Sequence, residues 1–585
     1  MKIFDDMNNI KNFLPTTLEE LKLRNWSSLD IILVTGDAYV DHPSFGVALL
    51  GRLLEAHGYR VGIIAQPLSP EDISRLGKPN LFFGVTAGSL DSMVANYTAS
   101  RKKRKTDDYT PGGLNNRRPD RAVIRYVNMI KQVFKDVPVV IGGIEASLRR
   151  FSHYDWWSDK IRKSILLDSK ADILVYGMGE RAVLEIAKRL ELGKNLDGIR
   201  GTVIWKSSIS DELFARLTVH YLPSHEEVSS DKNAYNRMFR DIIRLTDPHK
   251  DVALVQKQDT RYVIQYPPAP PLTQQEFDEL YLFPYTRKVH PFYERLGKVR
   301  ALEVVKFSIT AVRGCFGGCS FCALALHQTT HVISRTVDSI LEEVKILTKH
   351  PDFRGTIVDV GGPTANMWST NCIVRSSYGQ CYKNCVYPAV CKNLQHDGGV
   401  QFIDLLRRIK SVEGVKHVFV GSGIRHDLIL DSPNADYVIN ALVDFTSGQL
   451  KLAPEHAHPR VLKLMRKPPV EKFLEFKRRF EEFSKHKGRK RYVIGYFIVG
   501  HPGEGDEENA YLKNFIIKHL NYVPQQVQIF TPTPGTASTT MYYTGIDPFT
   551  NEEVEVVKSE KIRSFFKERI VSRSQCNDYR AEISD

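Results

Sequence analysis

The sequence predicts an α/β protein with an N-terminal doubly wound parallel-sheet domain, followed by a partial (β/α)6 barrel of the TIM type. Strand-like apolar runs alternate with helix-like stretches twice along the chain, and glycine and acidic residues follow many of these runs. A proline-rich break separates the two alternations. Because the chain has 585 residues, it is too long for one core, and several domains are expected.

The first alternation extends from about residue 29 to residue 206, and we assign residues 1–265 to this domain. Its strand-like runs are 30–35, 60–65, 80–85, 137–141 and 173–176, and its helix-like stretches are 47–57, 121–134 and 182–190. The ligand side of a parallel sheet lies at the carboxyl ends of its strands. Gly36-Asp37 and the segments 142–145 and 177–180 fall at those ends, where they form either turns or a binding site.

A proline-rich linker is predicted at 266–300, because Tyr-Pro-Pro-Ala-Pro-Pro at 266–271 is stiff and extended. The second alternation occupies 301–545 and contains six strand-and-helix units. The strand-like runs are 306–312, 355–360, 417–420, 449–452, 492–499 and 526–530, and the helices are 337–348, 402–412, 435–445, 470–487 and 507–519. Active residues of such barrels lie at the carboxyl ends of the strands. A tail with one helix near 558–570 occupies 546–585.

Composition argues against several classes of protein. The chain has no apolar run of membrane-spanning length, and its first ten residues have no apolar stretch, so we expect a cytoplasmic protein without a secretory signal. Seven of the eight cysteines lie between Cys315 and Cys391, which indicates metal or redox chemistry rather than a disulfide framework. The net charge of +13 permits an anionic partner such as RNA. The basic run Arg101–Lys105 is either a solvated loop or a nucleic-acid contact.

Three cysteines follow the first strand of the second alternation, in the pattern Cys315-x-x-x-Cys319-x-x-Cys322. Glycines around them allow the backbone to turn tightly, so that three thiolates can converge. Because an iron–sulfur cube normally takes four protein thiolates, three predict a [4Fe-4S] cluster with one iron open to another ligand. The alternative is a structural zinc site whose fourth ligand is not apparent in the sequence.

A second group of cysteines lies in a long insertion at 363–397. Cys372, Cys381, Cys385 and Cys391 are predicted to hold a second metal, either zinc or an auxiliary iron–sulfur cluster, with His396 as a spare ligand. Unligated thiols in a loop are the alternative, because the spacing matches no standard pair of ligands. We expect this insertion to close over the substrate.

The cysteine pattern with Phe321 as its aromatic residue resembles the signature of the radical S-adenosylmethionine (SAM) superfamily, and the likeness extends over roughly 301–545. By this resemblance, Gly361 and Gly362 form the turn that receives the methionine amino group of SAM. The strand containing Ile498 and Gly500 resembles the one that flanks the adenine in methylthiotransferase-type members.

Other strand ends supply further candidates. Pro502 follows the same adenine-flanking strand, and Ser422 follows the third strand of the barrel as a candidate cofactor contact. Glu455 and His456 follow the fourth strand, where they are candidates for SAM contacts or acid–base catalysis, or are ordinary hydrogen-bonded structure.

Nearly the whole chain resembles the YgiQ family of radical SAM proteins. The segments that carry this resemblance are 36–46, 142–150, 176–182, 385–394, 452–456 and 542–545. The family implies a [4Fe-4S] cluster, SAM and a one-electron reductant such as flavodoxin or ferredoxin, and it leaves the substrate unidentified. The first domain is similar in outline to cobalamin-binding domains, but Asp41-His42 replaces their Asp-x-His motif, so cobalamin is not predicted.

The function expected from these residues is reductive cleavage of SAM and abstraction of hydrogen from an unidentified substrate. One alternative is RNA-directed modification similar to that of the methylthiotransferases. The other is a non-catalytic, metal-stabilised protein that binds nucleic acid. Turnover of SAM under reducing conditions distinguishes the enzyme from the binding protein, for which salt-sensitive RNA binding without turnover is expected.

Overall fold

The first half of the protein is built on one nine-stranded sheet. The computed structural model describes residues 10–214, 217–378, 381, 384–520 and 522–572, with the backbone only at 376–378. The strands of the first half, in chain order, are β1 Ile31–Thr35, β2 Val61–Ala65, β3 Phe82–Thr86, β4 Val139–Ile141, β5 His153–Asp155, β6 Lys160–Arg162, β7 Ile173–Val175, β8 Thr202–Lys206, β9 Thr218–Tyr221, β10 Val252–Gln258 and β11 Arg261–Gln265. In space the large sheet has the order β2-β1-β3-β4-β7-β8-β11-β10-β9, while β5 and β6 form a separate hairpin.

The doubly wound arrangement follows from the apolar sequence of its central strand. Successive residues of β1 enter two different cores, because side chains of a strand alternate between the faces of the sheet. Ile32 and Val34 pack in one core, and Ile31 and Leu33 pack in the other. Helices therefore cover both faces, as the sequence predicts, and the fold class is confirmed.

The helices of the first half include the three that the sequence indicates, now with the bounds Gly46–Ala56, Ala122–Val133 and Glu180–Glu191. In chain order, the helices of this half are Leu18–Leu23, Gly46–Ala56, Pro70–Ser74, Ser92–Asn96, Ala122–Val133, Gly143–Leu148, Ile165–Ser169, Glu180–Glu191, His225–Ser230 and Lys232–Leu245. The linker region is not only extended, since it also contains the short helices Gln274–Glu279, Pro291–Glu294 and Arg300–Val305. Phe277 and Tyr293 of this region are buried against the first domain.

Four strands extend the sheet beyond the parallel part and were not expected from the sequence. β8 runs antiparallel to β7, β11 runs antiparallel to β8 and to β10, and β9 pairs with β10 in parallel. The edge strand β9 has no fully buried residue. Its sequence therefore lacks the continuous apolar run that makes the central strands recognisable.

The second half contains the six parallel strands that the sequence predicts. Its strands are β12 Ser308–Thr310, β13 Val312–Arg313, β14 Ile333–Ser334, β15 Thr356–Ile357, β16 Asp359–Gly361, β17 Asn371–Cys372, β18 Leu394–Gln395, β19 His417–Val418, β20 Gln449–Glu455, β21 Tyr492–Val499 and β22 Val527–Ile529. Parallel pairing joins β12 to β16, β15 to β19, and β20 to β21 and β22. The second strand of the predicted barrel is thus split into β15 and β16.

Helices between these strands surround the partial barrel. They are Ala323–His327, Val337–Thr348, Ile373–Tyr378, Val400–Lys410, His426–Leu430, Ala435–Asp444, Pro459–Met465, Val470–His486, Asp506–His519, Ala537–Thr544 and Glu560–Val571. The last of them corresponds to the predicted tail helix, and Phe566 and Ile570 pack into the barrel core. The part of the predicted tail after residue 572 lies outside the described residues. No helix in the described ranges has both the length and the apolar character needed to cross a membrane.

Aromatic residues of the loop after β4 fill the contact between the two halves. Tyr154 stacks on Tyr543 with ring centroids 4.9 Å apart. Trp156, only 1% exposed, is covered by the guanidinium groups of Arg101 at 4.7 Å and Arg563 at 5.5 Å. Arg101 of the basic run thus takes part in packing between the two halves.

The carboxyl ends of the N-terminal strands are filled by ion pairs. Arg118 donates to Asp37 at 2.8 Å, and Ser92 donates through its backbone to Glu145 at 2.8 Å. His42 is fully buried, and its Nε2 lies 2.9 Å from Nη1 of Arg287. These contacts explain Gly36-Asp37 and the segment 142–145 as internal structure. The segment 177–180 differs, since Gly177, Met178 and Glu180 line the cavity described below.

Candidate active site

Cys315, Cys319 and Cys322 lie on one loop between β13 and the helix Ala323–His327, and all three are free thiols. Gly317 lies between the first two sulfurs. A Cβ atom at Gly317 would be 3.1 Å from Sγ of Cys315 and 3.7 Å from Sγ of Cys319. Gly314 has a positive φ of 78°, and a Cβ there would meet the carbonyl oxygen of His331 at 1.8 Å. The glycines therefore keep the space between the thiols open and allow the loop to pack closely.

Cationic groups lie beside the cysteine loop. Nη1 of Arg425 is 3.8 Å from Sγ of Cys319, and the same guanidinium pairs with Asp427. Burial raises the pKa of Cys319, while Lys467 and Arg425 lower it. Burial also raises the pKa of Cys322, to about 12, so both free thiols are protonated at neutral pH. A metal that binds here must displace these protons.

The turn after β16 lies against the same loop. Thr364 brings its hydroxyl to 3.3 Å from Sγ of Cys315. A Cβ at Gly362 would be 2.1 Å from the carbonyl oxygen of Val312, and one at Gly361 would be 2.6 Å from the side chain of Ser422. The two glycines thus permit the close approach of three strand ends. The backbone N–H of Ser422 donates to Asp359 at 2.9 Å, which fixes this third strand end.

Glu455 and His456 have different surroundings although they are neighbours in the chain. Glu455 is partly exposed and takes a left-handed φ of 71° at an irregular end of β20. Burial raises its pKa, and Lys467 and Arg425 lower it, so its carboxyl lies within the electrostatic reach of the cysteine loop. His456 is fully buried, and its Nδ1 accepts the backbone N–H of His458 at 3.0 Å. The geometry favours Glu455 as a site residue and gives His456 a structural role.

The residues proposed near the adenine lie toward the first domain. Phe321 meets the ring of His501 edge to face at 6.3 Å, and both Phe321 and Ile498 pack against the core of the N-terminal sheet. Gly500 has a φ of 70°, and a Cβ there would be 3.0 Å from Nε of Arg563. Pro502 is buried, and its carbonyl lies 2.8 Å from Nδ1 of His501. This strand end is therefore enclosed by the N-terminal domain and the last helix.

The second group of cysteines packs directly on the first. Cys372 and Cys385 are buried in one cluster with Phe316 of the cysteine loop. Burial raises the pKa of Cys385 to about 11, Arg375 lowers it, and the other three cysteines of the insertion raise it, so these three lie within electrostatic reach of Cys385. The amide Nδ2 of Asn384 donates to the carbonyl of Gly317 at 3.1 Å. The insertion is thus attached to the loop that carries Cys319.

A cavity of about 670 Å³ joins these features. Cys319 and Cys322 of the first group and Cys381 and Cys385 of the second all line it. Arginines outnumber carboxylates among its described lining residues by seven to two, which makes its wall electropositive. Part of this charge is compensated, since Arg313 pairs with Glu180 at 2.6 Å.

Sequence reasoning missed the polar residues that surround the thiols, above all Thr364, Arg425 and Lys467. Thr364 lies two residues after Gly362, and Arg425 lies three residues after Ser422. Gly362 and Ser422 are both predicted strand-end residues. A search along the loops beyond each strand end would therefore have found both. Lys467 follows a short helix, and no pattern in the sequence points to it.

Comparison with protein families covers almost the entire chain. The radical SAM N-terminal family model matches residues 13–308, and the radical SAM superfamily model matches residues 309–516. A domain of unknown function, DUF3362, matches residues 525–578.

Two solved structures match large parts of this chain at low similarity. The radical SAM methyltransferase TsrM from Kitasatospora setae is 15% identical, with a TM-score of 0.49 over 86% of this chain and 75% of that chain. The cobalamin-dependent radical SAM enzyme OxsB is 11% identical, with a TM-score of 0.48 over 85% of this chain and 53% of that chain. These values are too low to support a functional comparison.

Curated relatives are much more similar. A UPF0313 protein of Thermotoga neapolitana is 61% identical over 97% of this chain and 100% of its own length. A UPF0313 protein of Clostridium botulinum (strain Okra / Type B1) is 47% identical over 95% of this chain and 86% of its own length. Together with the matching superfamily model, these relatives show that the chain belongs to the UPF0313 family of radical SAM enzymes, the family that is also called YgiQ.

Proposed function

We propose that this enzyme holds a [4Fe-4S] cluster on Cys315, Cys319 and Cys322, and that it uses the cluster with SAM to abstract hydrogen from an anionic substrate. The observation that carries the proposal is the set of three free thiols on one loop, with Gly317 between two of their sulfurs. In radical SAM enzymes this pair of cofactors supplies the reductive cleavage of SAM. This proposal specifies the substrate only by its negative charge.

The residues present fit such a cluster. Three thiols are one fewer than a fully ligated cube requires, which leaves one iron for SAM. The space at Gly317 has no side chain, and Arg425 places a positive charge 3.8 Å from Sγ of Cys319. A cation at this distance favours the thiolate form that binds metal.

The surrounding residues would bind SAM and shield the site. Gly361 and Gly362 form a turn without side chains beside Thr364, which contacts Cys315. Glu455 adds a carboxyl group near the same loop, where it can accept a hydrogen bond from an amine. Phe316 of the cysteine loop and Met367 are buried in one apolar cluster, and this cluster limits the access of water to the loop.

Anaerobic reconstitution tests the cluster ligands. Wild-type protein should bind about four irons per chain at this site and release 5′-deoxyadenosine with SAM and a strong reductant. Cys319→Ala should lose this iron and the product, whereas Cys576→Ala, which changes a cysteine outside both groups, should retain them. Equal iron content in wild type and Cys319→Ala would contradict the proposal.

We also propose that Cys372, Cys381, Cys385 and Cys391 hold a second metal. Support comes from the electrostatic influence of the other three thiols on Cys385 and from the packing of Cys372 and Cys385 with Phe316 of the cysteine loop. Iron and zinc should be measured in a Cys385→Ser/Cys391→Ser variant and in wild type. Loss of metal beyond the first cluster is expected, and unchanged content of both elements would argue against a second site.

RNA is the anionic substrate class to test first. The excess of arginines around the cavity, including Arg375 and Arg466, supports an anionic ligand. Binding of a labelled RNA oligomer should weaken steeply with salt, and Arg466→Ala should reduce both affinity and the salt dependence. Salt-independent binding, or binding unaffected by Arg466→Ala, would exclude RNA from this cavity.

We propose flavodoxin or ferredoxin as the one-electron reductant of the cluster.

A further inference from the structure

Asp247, His249 and His331 form a compact group of potential ligands outside both cysteine groups. Among the residues described by the structure, it is the one group of three or more His, Cys, Asp or Glu side chains whose donor atoms all lie within 4.8 Å of one another. Oδ1 of Asp247 is 3.3 Å from Nδ1 of His249, and the rings of His249 and His331 have centroids 5.7 Å apart. Two imidazoles and one carboxylate are a donor set typical of zinc and similar divalent ions.

The fold fixes the first two ligands through a turn after the helix Lys232–Leu245. Oδ1 of Asp247 accepts the backbone N–H of His249 at 2.8 Å, and the carbonyl of Asp247 accepts the N–H of Lys250 at 3.0 Å. These bonds hold the carboxylate and the imidazole of this turn on the same side.

The third ligand comes from the barrel. The backbone N–H of His331 donates to Oγ1 of Thr329 at 2.8 Å. Gly314, the residue before the first cluster cysteine, packs so closely on the carbonyl of His331 that any Cβ would overlap it. His331 is thus held by the start of the cysteine loop, and the group spans the contact between the two halves of the protein.

The distances suit a tetrahedral ion. Zinc bonds of 2.0–2.2 Å place neighbouring ligand atoms about 3.3 Å apart. Oδ1 of Asp247 and Nδ1 of His249 have this separation already, and the donor atom of His331 lies within 4.8 Å of the donor atoms of both residues. His249 is 42% exposed, so an ion can reach the group from solvent, while Asp247 is only 20% exposed.

We propose that Asp247, His249 and His331 bind one Zn²⁺ at the edge of the cavity, which Asp247 and His331 line together with Cys319 and Cys322. Three protein ligands leave a fourth position for water or for an oxygen atom of the substrate, as in catalytic zinc sites. The ion would also join the N-terminal domain to the loop that holds the cluster. This site goes beyond the cleavage of SAM and does not depend on it.

The test uses the full chain with its iron–sulfur content reconstituted, incubated with Zn²⁺ and freed of loosely bound metal. Zinc per chain and zinc affinity are measured in wild type, His249→Ala and His331→Ala. His220→Ala is the matched control, because His220 pairs with Asp241 at 3.0 Å and is about as exposed as His249. Removing one of three ligands should weaken binding by at least about tenfold, whereas the control should bind like wild type.

X-ray absorption at the zinc edge distinguishes this site from the cysteines. Nitrogen and oxygen neighbours lie at about 2.0–2.1 Å, and sulfur neighbours lie at about 2.3 Å. We expect a shell of nitrogen and oxygen that disappears in His331→Ala and persists in the Cys385→Ser/Cys391→Ser variant. A shell of sulfur alone, no bound zinc, or equal zinc in wild type, His249→Ala and His331→Ala would overturn the proposal. Release of 5′-deoxyadenosine, measured in parallel, reports separately on the cluster.

Discussion

At the scale of single residues, Gly317 determines whether the cysteine loop can receive a cluster. Its missing side chain leaves open the space between the sulfurs of Cys315 and Cys319, beside Arg425. A methyl group here would be 3.1 Å from Sγ of Cys315 and 3.2 Å from Nη1 of Arg425. Both separations are shorter than ordinary van der Waals contact, so sulfur and guanidinium would have to move.

We therefore expect Gly317→Ala to lower the iron bound after reconstitution. The same change should destabilise the metal-free protein by about 1 to 3 kcal/mol, because it overfills a packed site. Gly423→Ala is the control, since nothing lies within 4 Å of a Cβ at that position. Iron analysis and urea unfolding check the two effects, and wild-type iron content in Gly317→Ala would contradict this role of the glycine.

The thiol of Cys322 predicts a pH dependence of the metal-free protein. Burial raises its pKa from 9.0 to about 12, so the folded chain holds this proton more tightly than the unfolded chain. Its contribution to stability is complete below pH 9 and is lost as the pH rises toward 12. Urea midpoints at pH 8 and pH 10 should therefore differ more for wild type than for Cys322→Ala. Equal differences in the two proteins would show that burial does not raise the pKa of Cys322.

At the scale of elements, the cysteine-rich insertion and the cysteine loop behave as one unit. Asn384 connects them through the hydrogen bond from its amide to the carbonyl of Gly317, and Phe316 of the loop is buried against Cys385. The insertion and the loop thus share one hydrogen bond and one apolar cluster. We expect a change in one segment to affect the other.

Asn384→Ala should shorten the lifetime of a reconstituted cluster in air. The lost hydrogen bond contributes about 1 kcal/mol, which corresponds to several-fold more frequent opening of the loop. The decay of cluster absorbance after exposure to oxygen measures the effect. Lys392→Ala changes an exposed residue of the same insertion and should decay at the wild-type rate. Identical decay of both variants would show that the insertion does not hold the loop.

Long, strongly patterned elements were predictable from the sequence. The helix Val337–Thr348 and the strand Tyr492–Val499 have the bounds that the sequence predicts. Tyr492–Val499 alternates between buried and less buried residues along its whole length, which is a clear period of two. The edge strand β9 was missed because it has no fully buried residue and its composition resembles that of a loop. The strands β8, β10 and β11 were missed although most of their residues are buried.

Site residues were predictable from the sequence only where a characteristic spacing indicates a chemical function. The three cysteines that we propose as cluster ligands were recognised by their spacing, since thiolates that share one centre must be close in the loop. Arg425 and Lys467 come from distant parts of the chain and are buried in the fold. In the sequence, charge alone does not distinguish them from the many exposed cations. Asp247, His249 and His331 come together only through the contact between domains, so their sequence separation conceals the group.

At the scale of the whole molecule, buried charge links the two halves. Glu343 of the barrel pairs with Arg287 of the linker and with Arg335, and all three side chains are at most 5% exposed. Arg287 also reaches His42 of the first domain. We propose the division of the chain at residues 265, 300 and 545, yet these contacts couple the parts into one structure.

Glu343→Gln should therefore destabilise both halves together. It leaves two buried guanidinium groups without their shared carboxylate, and loss of one partner of a buried ion pair costs about 3 to 5 kcal/mol. Calorimetry should show one lowered transition. Glu342→Gln, which changes the 56% exposed neighbour on the same helix, should unfold like wild type. A normal transition for the first half alongside a lowered one for the barrel would show that the halves are independent.

The position of Trp156 gives the enzyme an optical reporter. This indole lies in the first domain, and its two covering cations come from the basic run and from the last helix. If the last helix separates from the first domain, the ring gains water and loses the charge of Arg563. Its fluorescence then changes in wavelength and intensity. Intrinsic emission can thus report, in real time and without a label, a separation of the last helix from the first domain.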